Sequence, residues 1–171
     1  MASKLRVDSI LPVDGAPTNG GGGIIQVVQT IKKDQFTTAN NTSNYTDITG
    51  LSATITPKFN TSKIMVECHI YNSNSNAVNF FRVLRGSTFI EQPSGTSSSG
   101  ANWNAHGFAY YNCQNWQDTT VIKILDSPAT TSATTYKIQM AVTSNTGTIN
   151  KFYATSNYYG ISTITAMEVS A

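Results

Sequence analysis

The stretch KIMVECHIY, residues 63–71, decides the fold. Ile64, Val66, Cys68 and Ile70 fall on alternate positions, with Met65, Glu67, His69 and Tyr71 between them. A period of two belongs to a strand that buries one face, not to a helix. The same period recurs outward from this segment in both directions. IIQVVQTI (24–31), LSATITP (51–57), AVNFFRVLRG (77–86), STFIEQ (87–92), HGFAYYN (106–112), TTVIKIL (119–125), TTYKIQMAV (134–142), INKFYA (149–154) and ISTITAMEV (161–169) all read as short strands. A hairpin is expected at Arg85-Gly86-Ser87. No segment has a convincing helical period, and runs such as TTVIKILDSP are too β-branched for one. About ten short strands with frequent turn signals specify an all-β, jelly-roll-like antiparallel sandwich.

Composition agrees. Only 12% of the 171 residues are charged and 39% are hydrophobic. Ser, Thr and Asn make up roughly a third of the chain, well above the usual share. Such a chain suits strands joined by polar loops. Two connections are expected to be solvated: NSNSN (72–76) and the polar run from Pro93 to Asn104.

The net charge is +2 and the eleven basic residues are scattered, so nothing marks a nucleic-acid partner. The opening MASKLRVD lacks a signal-peptide core, and no apolar run reaches the ~18 residues of a membrane span. Synthesis in a cytoplasm is expected, with Cys68 and Cys113 starting as thiols. Cys68 shares the apolar side of its strand and reads as a small buried hydrophobe. His69 and His106 belong to no metal-spaced cluster, and Gly20 to Gly23 precede a strand rather than the helix a phosphate loop needs. Serines are plentiful, but none sits in a nucleophile elbow. Glu67 and Asp126 are acids that a fold could bring together, but nothing in their spacing demands it. The expectation is a protein without catalytic residues, metal or cofactor.

The stretch NWNAHGFAYYNCQNW (102–116) is dense in aromatics. Rings with polar edges stack on sugars and anchor interfaces. Phe108 and Tyr110 read as core. Trp103 and Trp116 flank the strand in polar loops, where a binding contact and local packing are both open. Trp103, His106, Tyr111 and Trp116 are the candidates for receptor or subunit contact.

The first 23 residues form a separate unit. Leu5, Val7, Leu11 and Val13 follow a two-residue period, with Ile10 on the other face, and Pro12 and Pro17 favour extended backbone. A lone strand this short cannot offset its ordering entropy. Gly20, Gly21, Gly22 and Gly23 form a hinge before the body begins at Ile24. Residues 1–23 therefore read as a docking peptide whose Leu5, Val7, Ile10 and Leu11 find cover on another protein, and residues 24–171 as the β-sandwich body.

SKLRVDSI (3–10) resembles the Ser-x-Leu-x-Val-Asp-x-Ile opening of fibre-like proteins of marine bacteriophages, particularly those of cyanobacteria. IIQVVQTIKKDQFTT (24–38), YTDITGLSATITPKFNTSKIMV (45–66), LDSPATTSATTYKIQ (125–139) and STITAMEV (162–169) are similar to the body of the same proteins, in the same order. The resemblance implies a virion structural protein with a trimeric β-sandwich knob. It implies itself and other virion proteins as partners, with a host-surface polysaccharide as a receptor. Long fibres carry repeated openings or extended shafts, and this sequence has one opening segment and no shaft. It resembles a short appendage more than a long fibre. Adhesion to the host, decoration of capsid or neck, and a carbohydrate-binding module are the functions that remain open.

Overall fold

A computed structural model of the chain describes residues 23–39, 44–74, 76–94, 104–110, 116–152 and 158–170; the side chains of 108–110 and 116 lie outside the description. The described residues form eleven strands. In chain order they are β1 (Ile24–Lys32), β2 (Phe36–Thr38), β3 (Thr46–Ile55), β4 (Lys63–Asn74), β5 (Val78–Arg85), β6 (Thr88–Phe89), β7 (Gly107–Tyr110), β8 (Trp116–Asp126), β9 (Thr134–Val142), β10 (Gly147–Ile149) and β11 (Ser162–Val169).

Two antiparallel sheets result. In the first, β1 pairs with β11, β11 with β4, and β8 flanks the other side of β4. Beyond β11, β10 continues alongside β4 and carries β2 at its far side. In the second sheet β3 pairs with β9 and β9 with β5, while β6 and β7 both pair with β5. Taking β1 with β2 and β10 with β11 as interrupted single strands, and β6 as an appendage, leaves eight positions ordered 1-8-3-6 and 2-7-4-5. That order is the jelly roll, two Greek keys wrapped into a sandwich.

The core lies between the sheets. Ile64, Val66, Cys68 and Ile70 are each fully buried, as the alternation in KIMVECHIY requires. They meet Phe81 and Val83 from β5, Leu51, Ala53 and Ile55 from β3, and Tyr136, Ile138 and Met140 from β9. Each large apolar side chain removed from water contributes ~1.5–3 kcal/mol. Cys68 carries a free thiol, and burial raises its pKa, so it stays protonated and unreactive. Cys113 lies outside the described residues.

Turns obey the local chemistry. Gly86 takes a positive φ of 58° and joins β5 to β6 at the expected hairpin. Gly50, with φ 79°, sits where the β3–β9 register shifts between Asp47 and Ser52.

NSNSN departs from expectation. Asn72, Ser73 and Asn74 are not a solvated loop; they extend β4 and are fully buried. The Asn72 amide donates to the Ile70 carbonyl at 3.0 Å, to the Asp118 carbonyl at 3.2 Å and to Thr120 Oγ1 at 3.1 Å. Asn79 Nδ2 donates to Asn72 Oδ1 at 3.0 Å, and Asn74 Nδ2 donates to Asn79 Oδ1 at 2.6 Å. Apart from Asn74 Oδ1, which has no partner among the described residues, these amides are tolerated because they hydrogen-bond to each other and to backbone carbonyls.

Asn150, where β10 ends, is likewise polar and buried. Asn150, at φ 61°, donates from Nδ2 to the Lys32 carbonyl at 2.8 Å and the Asp34 carbonyl at 3.0 Å, and its Oδ1 accepts from Ser162 Oγ at 2.6 Å. It ties the corner between β1 and β2 to the corner between β10 and β11.

Candidate interaction surface

The two outer faces of the sandwich differ in chemistry. On the second sheet, polar side chains satisfy one another. Asp47 accepts from Lys137 Nζ at 2.7 Å and from Gln139 Nε2 at 2.6 Å. Burial alone raises the Asp47 pKa, but those two hydrogen bonds outweigh it and hold the carboxyl below its ordinary value. Arg82 donates from Nε to Gln139 Oε1 at 2.8 Å, and its guanidinium lies 4.0 Å over the Tyr45 ring. Burial pushes the Tyr45 phenol up to about 12, against the opposing charge of Arg82. The same face also carries the half-buried Val78 and Phe80, which alternate with the buried Asn79 and Phe81 on β5.

The outer face of the first sheet is different. Strand register aligns its outward residues in rows across all four strands. One row runs Val27–Met167–Met65–Leu125. The next is Gln29–Thr165–Glu67–Lys123, and the third Ile31–Thr163–His69–Val121. Val27 is 58% exposed, Val121 56%, Ile31 47% and Leu125 43%. Apolar side chains thus occupy both edges, and one unbroken apolar row crosses the sheet. Between the apolar residues, Glu67 accepts from His69 Nε2 at 2.9 Å and lies 3.3 Å from Lys123 Nζ. Those contacts lower the Glu67 pKa and leave the centre of the face without net charge when His69 is neutral.

Tyr71 continues this face toward one end. Its hydroxyl donates to Gln117, and its ring lies where a Cβ on Gly160 would come within 2.5 Å. Beside Gly160, Tyr158 is 62% and Tyr159 65% exposed.

A groove of about 540 Å³ runs along β8, lined by Glu91, His106 and residues 121–125. His106 is held by both ring nitrogens. Nδ1 accepts from the Val83 amide at 2.9 Å, Nε2 donates to the Ile90 carbonyl at 2.7 Å, and Phe89 packs edge-on at 4.8 Å. Burial lowers its pKa below the ordinary histidine value, partly offset by the carbonyls of Ile90 and Glu91. The imidazole has neither a free donor nor a free acceptor for a receptor.

Of the other expected contact residues, Trp103 and Tyr111 lie outside the described residues. The backbone of Trp116 pairs with Asn74 at the start of β8. Phe108 and Tyr110 stand in register with the half-buried Phe80 and Val78 rather than with the buried Phe81 and Asn79. Leu5, Val7, Ile10, Leu11, Gly20, Gly21 and Gly22 also fall outside. Gly23 is the first described residue, and its carbonyl accepts from the Ser170 amide at 3.1 Å. Glu67 and Asp126 do not converge: Glu67 stands opposite Lys123, and Asp126 stands opposite Ile64 with Arg85 and Tyr136 as its partners. No cluster of three or more metal-binding side chains occurs among the described residues. No helix among them is long and apolar enough to cross a membrane.

Sequence reasoning missed the row through Met65 and Met167. The signal was present, since both methionines occupy outward positions of alternating strands. Only the register places them side by side.

No protein-family model matches the chain, and no curated protein matches its sequence. Among solved structures, it is similar to "Structure of infectious bursal disease virus Gx strain", at 13% identity over 96% of this chain and 44% of that one, with a TM-score of 0.41. It is also similar to a mutant VP2 protein of infectious bursal disease virus from derived T=1 particles, at 9% identity over 99% of this chain and 44% of that one, with a TM-score of 0.40. The chain therefore spans under half the length of these structures.

Proposed function

We propose that the chain is a non-enzymatic structural protein of a bacteriophage virion, a short trimeric appendage. Residues 1–23 dock on the particle, and the jelly roll is displayed as a knob that contacts the host surface. The strand order carries this reading. It yields a jelly roll, an architecture recurrent in capsid and lectin domains, and its first strand lies at a sheet edge immediately after the hinge glycines. Leu5, Val7, Ile10 and Leu11 then dock by strand addition, with main-chain hydrogen bonds for affinity and pockets for alternate side chains. Three copies acting together convert weak surface contacts into avid ones.

A second reading, decoration of capsid or neck, is favoured by the apolar row Val27–Met167–Met65–Leu125, exposed at its two ends and half-buried between them, which suits protein contact better than sugar. Purified full chain that binds host cells or their polysaccharide supports adhesion. Particles that assemble without it but lose resistance to heat support decoration. Deleting residues 1–22 tests what both share: the knob stays folded and no longer joins the particle. Normal incorporation of that variant refutes the docking role.

A further inference from the structure

We propose that the outer face of the β1–β11–β4–β8 sheet is the contact between copies of this chain. The copies are arranged about an axis parallel to the strands, so that the β1 edge of one meets the β8 edge of the next. This rests on the trimer in the proposed function and names its interface.

Chemistry selects the face. The opposite sheet consumes its polar groups internally through Asp47, Lys137, Gln139 and Arg82. The β1–β11–β4–β8 face instead leaves Val27, Ile31, Val121 and Leu125 between 43% and 58% exposed. Strands ~4.8 Å apart and nine residues of ~3.3 Å each give it a plan of roughly 570 Å² before side-chain relief is counted, comparable with the ~800 Å² per partner of a stable interface.

Register selects the axis. Rotation about an axis parallel to the strands keeps every row at its own height. The apolar row of one copy therefore meets the apolar row of the next, Val27 against Leu125, and Ile31 likewise meets Val121. Lys123 then adjoins Gln29 rather than another lysine, and β4 and β11, the middle strands, bring Met65 and Met167 toward the axis. An in-plane two-fold perpendicular to the strands and centred on the middle row sets Glu67 against Glu67 and Lys123 against Lys123. Like charges face to face are destabilising.

The test uses the full chain with Cys113→Ser. Mild oxidation of Val27→Cys/Leu125→Cys yields covalent trimers on a non-reducing gel, and neither single variant does. Leu125→Glu keeps the far-ultraviolet circular dichroism of the parent and lowers the association constant by roughly a hundredfold or more. Three results overturn the proposal. An assembly that neither cross-links at this pair nor responds to Leu125→Glu places the interface elsewhere and leaves the virion reading intact. A parent chain that sediments as a monomer at micromolar concentration removes the trimer as well. A monomer in which Leu5→Cys/Met65→Cys cross-links within one chain assigns the face to the opening peptide instead. Incorporation into particles, measured separately, reports on the virion reading alone.

Discussion

Arg85 and Asp126 join the two sheets. The guanidinium of Arg85, on β5, donates from Nη1 to both carboxylate oxygens of Asp126, on β8, at 2.9 and 2.8 Å. Asp126 is buried and also accepts from the hydroxyl of Tyr136, on β9, at 2.7 Å. Burial, and then the neighbouring carboxylate, raise the Tyr136 pKa, so the phenol remains a donor. Removing the carboxylate strands a cation and a hydroxyl together. Asp126→Ala should cost ~3 kcal/mol or more in urea unfolding, whereas Tyr136→Phe should cost only ~1 kcal/mol. Equal costs for the two variants would contradict this arrangement.

The amide relay Asn74–Asn79–Asn72 carries a second expectation. Asn79→Ala leaves Asn72 Oδ1 and Asn74 Nδ2 without that partner in a buried place, and should cost ~2–3 kcal/mol or more. Thr54→Ala, which removes an exposed hydroxyl pair with Thr135, should change stability by less than ~0.5 kcal/mol. Urea midpoints of the two variants check the contrast.

These asparagines also mark where the sequence stops being legible. The strand at residues 134–142 was readable because Tyr136, Ile138 and Met140 alternate with polar residues. The body of β4 was readable for the same reason. Asn72-Ser73-Asn74 reads as a loop because amides and hydroxyls are usually hydrated, and only partners outside the run, Asn79 on the next strand and the remote Asp118 and Lys151, make burial tolerable. Long-range satisfaction leaves no local pattern. Register behaves similarly: alternation places Met65 and Leu125 on outward positions, but strand pairing sets them beside each other. β2 leaves no such signal, because three residues cannot display a period. Trp103 stands out by residue type and by its polar neighbours in sequence, and neither fixes what surrounds it in space.

His106 gives the fold a pH response. Its folded pKa lies below the unfolded value of ~6.5, so below that pH the unfolded chain binds the additional proton. Stability therefore falls as the pH drops through ~6.5 and levels off once the folded state also protonates. Protonation turns Nδ1 into a donor aimed at the Val83 amide, which is itself a donor. The loss of melting temperature between pH 7.5 and 5.5 should be smaller in His106→Gln than in the parent. An identical loss in both would show that the imidazole does not titrate against folding.

Gly160 is required by the Tyr71 ring, not by its own backbone. A Cβ there would meet the ring at 2.5–2.8 Å. Gly160→Ala should cost ~1–3 kcal/mol by overpacking, and the same change in a Tyr71→Ala background should cost much less. A double-mutant cycle in urea measures the coupling. Additive effects would place the strain elsewhere.

The most direct test of the proposed function is a cryo-electron microscopy reconstruction of the bacteriophage particle that it assigns, resolved well enough to trace residues 1–22. The account predicts that Leu5, Val7, Ile10 and Leu11 lie against a different virion subunit, with the jelly roll projecting beyond Gly23. Tracing those side chains onto the knob of their own chain, with no foreign subunit in contact, would contradict it.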